Sequence, residues 1–316
     1  MAKRILLLPW ALVKPPLRRV LRLLLRVALA GLLFILLLTA SVWWYLTPDA
    51  TVQHGIVYTQ RHGHDLTLDV VRPARANGSA VLAMISGSWK SDPGKFQSWM
   101  AAPFLREGQT VIAVSHLSQP EATIMEIVAD VHRAARFVRL HAAEYGIDPQ
   151  RIGVFGGSSG GHLSLMLATC STPGDASAAD PVERESSTVQ AAAVLYPVTD
   201  LIDLGPSTQN LHDGGPPKSF RKSFGPKGTD LAVWKGIGHD VSPIFHITPA
   251  LPPVFITHGD ADTLVPLDQS LRFQQKAAEL GHAVALTVRP GKKHGWLTMP
   301  WDIHLIAGWL AQHLAR

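Results

Sequence analysis

Two hydrophobic patterns run along this chain. The first is one unbroken stretch, "VALAGLLFILLLTASVWWYL" at residues 27–46, without a charged residue. A helix of that length, rising ~1.5 Å per residue, spans the roughly 30 Å hydrocarbon core of a bilayer. The second pattern begins after Pro48-Asp49. Short apolar runs there alternate with longer segments of helical character. "LTLDVV" (66–71) predicts a strand, one arm of a hairpin turning at His62-Gly63. "AVLAMI" (80–85), "TVIAVS" (110–115), "RIGVF" (151–155), "AAAVLYP" (191–197), "PVFITHG" (253–259) and "AVALTVRP" (283–290) are apolar almost throughout, as strands of a sheet buried on both faces must be. Helices are predicted over 95–107, 121–145, 160–171, 267–280 and 301–314. This alternation predicts an α/β domain with a doubly wound, mostly parallel sheet. Residues 203–245, rich in Gly, Pro, Ser and Lys, break the rhythm. Such a stretch reads either as a functional lid or as a solvated insertion.

Charge sharpens the reading of the N-terminus. Of the 29 basic residues, seven (Lys3, Arg4, Lys14, Arg18, Arg19, Arg22, Arg26) lie in 1–26, where there is no acid. The remainder is then mildly acidic, and no footprint for nucleic acid is left. A basic flank before an apolar span keeps the N-terminus cytoplasmic, and Trp43, Trp44 and Tyr45 fit the far interface. The expected organisation is a basic cytoplasmic segment (1–26), a transmembrane anchor (27–46) touching membrane lipid, and a catalytic domain (50–316) in the periplasm or outside the cell. A cleaved signal peptide is the rival, but Leu38-Thr39-Ala40 makes a poor cleavage site. The single cysteine, Cys170, allows no intrachain disulfide.

The chemistry concentrates in "GVFGGSSGGHL", residues 153–163. It follows a predicted strand and opens a predicted helix, the context in which G-x-S-x-G makes a nucleophile elbow. The pattern fits twice, centred on Ser158 or on Ser159. A serine nucleophile needs a base, and the base an orienting carboxylate. Both follow in the order Ser, acid, His. Asp260 and Asp262 come after "PVFITHG", and His294 comes after "AVALTVRP". All three lie just past strand C-terminal ends, where open α/β sheets bind ligands.

"AAEYGIDPQRIGVFGGSSGGHL", "HGDADTLVP" and "KKHGW" resemble the α/β-hydrolases of the esterase/lipase group, closest to the BD-FAE-type carboxylesterases. The likeness runs from about residue 52 to the C-terminus. It implies an α/β-hydrolase fold and a small-molecule ester substrate, without metal or cofactor. It implies Ser158 as nucleophile, Asp262 rather than Asp260 as acid, and His294 as base. It also implies an oxyanion hole that uses the Ser159 backbone amide. Relatives carry H-G-G-G-W after the early strand, where this chain has Ile85-Ser86-Gly87-Ser88-Trp89. The histidine is gone, and the Gly87 or Ser88 amide is expected to complete the hole.

Other candidates have plainer readings. His258 and His162 read as structural, and His62 and His64 as a polar hairpin tip rather than a metal site. Asp200 is the alternative acid. Trp296 and Trp301 read as packing or as the frame of an acyl pocket. Two other function classes stay open: a serine peptidase of the prolyl-oligopeptidase kind, and a non-catalytic hydrolase-fold binding protein. The oligomeric state is not encoded in any motif.

Overall fold

The computed structural model describes residues 15–315, so residues 1–14 of the expected basic segment lie outside the described part. The chain divides into two units, one ending at Thr47 and one beginning at Pro48. The first is a single helix, α1 (Pro15–Leu46). Residues 19–46 of it are long and apolar enough to cross a membrane, a test that a signal sequence also passes. Thr39 and Ser41, in the apolar stretch, bond within the helix. Thr39 Oγ1 donates to the Ile35 and Leu36 carbonyls, and Ser41 Oγ to the Leu37 carbonyl. These two hydroxyls therefore present no unsatisfied donor to lipid.

The second unit is an eight-stranded sheet in the order β1-β2-β4-β3-β5-β6-β7-β8. A hairpin of β1 (Ala50–Arg61) and β2 (His64–Pro73) turns at His62-Gly63 and pairs antiparallel with β4 (Thr110–Val114). The remaining strands, β3 (Ala80–Met84), β5 (Ile152–Gly157), β6 (Ala191–Leu195), β7 (Val254–Gly259) and β8 (Ala285–Arg289), join β4 in parallel. Successive residues of β3 feed opposite cores. Leu82 packs with α3 (Ile124–Leu140) and α5 (Ser159–Thr169), whereas Val81 and Ala83 pack with α2 (Ala102–Arg106) and α8 (Met299–His313). A strand that buries both faces must be apolar at every position.

β3 has β4 on one side and β5 on the other. The chain leaves β3 in one direction and returns past it to β5. This is the topological switch point, and the crevice at such a point is where open sheets bind ligands. The loop after β3 and the turn after β5 meet there.

Three expectations need correction. The 95–107 segment is not one helix. It forms two 3-10 turns (Pro93–Lys95, Ser98–Ala101) before the five-residue α2. Pro93 and Pro103 lack an N–H and can only begin helical turns. The 121–145 segment starts later, at a capping box of Thr123 and Glu126, and breaks after Leu140 into the short α4 (Ala142–Tyr145). β8 is not buried on both faces: it is the sheet edge, and Val288 is partly exposed.

Residues 203–245 are neither fully solvated nor without structure. They hold a 3-10 segment (Arg221–Thr229) kinked at Gly225 and the helix α6 (Trp234–Asp240). Phe220, Phe224 and Trp234 are buried in the main core.

Candidate active site

Ser158 sits between β5 and α5 with φ 54° and ψ −121°. That backbone is costly for a residue with a Cβ, and it persists only where the surroundings force it. Here the glycines do so. A Cβ on Gly156 would stand 2.3 Å from the Gly160 oxygen, and one on Gly160 would stand 2.7 Å from the Met84 oxygen. The chain can turn this sharply only because those side chains are missing. The result presents the Ser158 hydroxyl at the start of α5. Ser159, at the first helical position, is buried, and its N–H is one of the donors a helix start leaves unpaired.

His294 follows β8 and Asp262 follows β7. His294 Nε2 lies 2.9 Å from Ser158 Oγ, and His294 Nδ1 lies 2.7 Å from Asp262 Oδ2. The other carboxylate oxygen, Oδ1, accepts from the Leu264 and Val265 amides at 2.9 and 3.0 Å. Burial pushes the Asp262 pKa up. The side-chain hydrogen bonds of His258 and His294, the His294 charge and the Val265 amide outweigh it and hold the carboxyl well below its ordinary value. An ionised carboxylate on Nδ1–H leaves Nε2 free to accept the serine proton.

His258 is structural, as expected. Its Nε2 lies 2.8 Å from the Val265 oxygen and 3.5 Å from Asp262 Oδ2, and its Nδ1 lies 2.7 Å from Ser270 Oγ. Asp200, the alternative acid, pairs with Arg272 at 2.6 Å and caps the Ile202 and Asp203 amides. Asp260 accepts from the Gly291 amide. His62 and His64 pair with Glu126 and Glu121. Among the described residues no group of three or more His, Cys, Asp or Glu side chains is placed to hold a metal ion.

The Ile85–Trp89 loop treats the two expected donors differently. Gly87 N–H donates to the Lys90 oxygen at 2.9 Å, and Lys90 N–H returns to the Gly87 oxygen at 3.0 Å. Ser88 and Trp89 thus form a two-residue turn, with φ of 51° and 53°. The Gly87 amide is therefore spent. The Ser88 amide has no acceptor among the described residues.

One neighbour was not singled out from the sequence. Tyr196, just past β6, packs its ring 4.5 Å from the His294 ring, between centroids. Burial, and then the Asp262 charge, raise its phenol to about 12, so it stays neutral against the triad. The only signal was its place on the same strand-end rim. Trp296 also packs against Tyr196 and donates to Asp302, while Trp301 is 72% exposed and Leu297 97%.

The BD-FAE family model matches residues 68–277, about two thirds of the chain, from within β2 into the helix α7 (Asp268–Glu279). The chain belongs to the BD-FAE family. Among curated relatives, the probable carboxylic ester hydrolase LipM of Mycobacterium tuberculosis is 33% identical over 189 residues, 59% of this chain and 42% of that protein. Esterase LipQ of the same organism is 29% identical over 245 residues, 74% of this chain and 55% of that protein. The chain spans about half the length of these two relatives. A solved esterase of Thermogutta terrifontis with butyrate bound superposes with a TM-score of 0.65 at 29% identity, covering 84% of this chain and 94% of that one. The fold of this BD-FAE member is thus that of an α/β-hydrolase.

Proposed function

We propose that this protein is a serine esterase that hydrolyses small carboxylic esters with short acyl chains. The observation that carries the reading is the unbroken chain Ser158–His294–Asp262, at 2.9 and 2.7 Å, assembled from the ends of three strands. In this reading His294 takes the Ser158 proton as Oγ attacks the ester carbonyl. It then returns the proton to the leaving alcohol, and water completes the cycle through the same base. The Ser159 and Ser88 amides, in place before charge develops, stabilise the tetrahedral oxyanion. The names of the relatives support ester hydrolysis, and the butyrate held by the Thermogutta esterase supports a short acyl group. We further propose that residues 27–46 anchor the protein in a membrane. The N-terminus would then be cytoplasmic and the catalytic unit periplasmic or extracellular, consistent with Arg18, Arg19, Arg22 and Arg26 flanking the apolar stretch.

The test is hydrolysis of p-nitrophenyl esters from acetyl to octanoyl by the full-length protein in detergent. Activity should fall as the acyl chain grows, and Ser158→Ala should lower it by on the order of 10⁴-fold or more. Activity that rises toward octanoyl contradicts the short-acyl assignment. Cleavage of peptide amides without cleavage of these esters contradicts the esterase reading.

A further inference from the structure

The Ser88-Trp89 turn raises a question of support. Both residues carry positive φ, a conformation that costs a bulky side chain free energy unless its surroundings fix it. Hydrogen bonds that hold the loop come from the connection between β4 and α3. Gln119 Nε2 donates to the Ser88 oxygen at 2.6 Å, and the Gln119 backbone N–H donates to the Trp89 oxygen at 2.9 Å. His116 Nε2 lies 2.9 Å from Ser86 Oγ, which lies 3.1 Å from Ser159 Oγ. Both side chains belong to buried residues.

We propose that Gln119 and His116 are positioning residues that hold the two oxyanion donors, Ser88 and Ser159, in register with each other. The inference rests on the esterase reading above. The direction of each bond follows from the chemistry. His116 Nδ1 lies 2.8 Å from the Leu117 oxygen, so Nδ1 carries the proton and Nε2 accepts. The Ser86 hydroxyl donates to Nε2, and its oxygen accepts from the Ser159 hydroxyl. This chain ties the β3 loop to the first residue of α5. Gln119 ties the other end. Its amide nitrogen has two N–H groups, and the second reaches the Ser219 oxygen at 2.9 Å. A primary amide can bridge two carbonyls in this way, and an apolar side chain of similar length cannot.

The same bridge brings in the 203–245 insertion. Trp89 packs edge-on against Phe220, and its indole N–H donates to His162 Nδ1 at 3.1 Å. His162 Nε2–H in turn donates to the Val241 oxygen at 2.7 Å. The insertion therefore grips the oxyanion loop through Ser219, Phe220 and Val241. Without Gln119 the Ser88–Trp89 and Trp89–Lys90 peptides lose the bonds on their carbonyls, so the strained turn is held only by the Gly87–Lys90 pair and the Ser88 N–H is less firmly aimed.

The test compares the full-length protein in detergent with Gln119→Leu and Ser86→Ala. Active sites are counted with a fluorophosphonate, so that turnover is expressed per competent site. Two quantities are read: kcat/KM for p-nitrophenyl acetate, and affinity for an alkyl trifluoromethyl ketone, whose serine adduct carries an oxyanion. Gln119→Leu should lower kcat/KM per site by on the order of 10²-fold. Ketone affinity should fall in parallel, because both report transition-state stabilisation. Ser86→Ala should lower both by about 10-fold, a partial loss of the same kind, and it carries the test if Gln119→Leu does not fold. Fewer titratable sites with unchanged turnover per site would show a purely structural role and overturn the proposal. Unchanged values in both variants overturn it as well, while leaving the esterase reading standing. A wild-type protein that neither cleaves the ester nor takes the fluorophosphonate removes both.

Discussion

Asp262 is almost fully buried, yet its carboxylate stays charged because two histidines and two backbone amides surround it. His116 and His162 are buried too, but no carboxylate faces either ring. Burial lowers each to about 4, against an upward pull from its hydrogen bond to a backbone carbonyl. The consequence for stability has a definite sign. Near pH 6.5 the unfolded chain begins to protonate these histidines, whereas the folded chain does so only near 4. Acid therefore favours unfolding within that window. Burial lowers His132 to about 4 as well. Each histidine contributes up to about 1.4 kcal/mol per pH unit, so the three together should give a slope of up to about 4 kcal/mol per unit. Asp262 acts elsewhere. Its depressed folded pKa stabilises the fold above the ordinary carboxylate value of about 3.9, and that stabilisation is lost only as pH falls below it. Urea unfolding between pH 4.5 and 6.5 should show the slope, and His162→Gln should lower it by about a third. A flat profile would mean that these rings protonate without unfolding the protein. At this scale Ser158, Asp262 and His294, the proposed triad, were visible in the sequence because each sits in a local motif at a strand end. Tyr196, His116 and Gln119 were not, because their partners lie far away along the chain and only the fold brings them together.

The β5–α5 turn is the element on which the proposed chemistry rests, and glycine makes it possible. Gly156 and Gly160 leave no room for a methyl group, the nearest atoms being backbone oxygens that cannot swing aside. Gly156→Ala should cost about 1–3 kcal/mol of stability through overpacking. It should also remove most esterase activity by displacing Ser158. Thermal unfolding and p-nitrophenyl acetate turnover check this together, and a variant with wild-type values for both would mean that the turn can widen freely. The strands were legible because apolar runs with no polar face have few alternatives. The edge position of β8 was not legible, since an apolar run reads the same at the edge as at the centre. Neither were the helical segments inside 203–245. Their local sequence favours turns, and burial of Phe220, Phe224 and Trp234 supplies what propensity does not.

At the scale of the whole molecule, the chain joins an apolar helix to an α/β-hydrolase unit with a crevice at its switch point. The order Ser158, Asp262, His294 spans 136 residues from first to last, so no short segment contains the site and the complete sheet is needed to assemble it. The double serine makes this testable to the atom. A fluorophosphonate phosphonylates only a hydroxyl activated by a base, releasing fluoride, and Ser158 and Ser159 lie in one peptide. The full-length protein should be labelled at pH 7.5, digested and fragmented by mass spectrometry to place the adduct. One phosphonyl group on Ser158, absent in Ser158→Ala and retained in Ser159→Ala, is the expected result. An adduct on Ser159 or Ser86, or no adduct on folded protein, would contradict the assignment of Ser158, His294 and Asp262 as the catalytic triad.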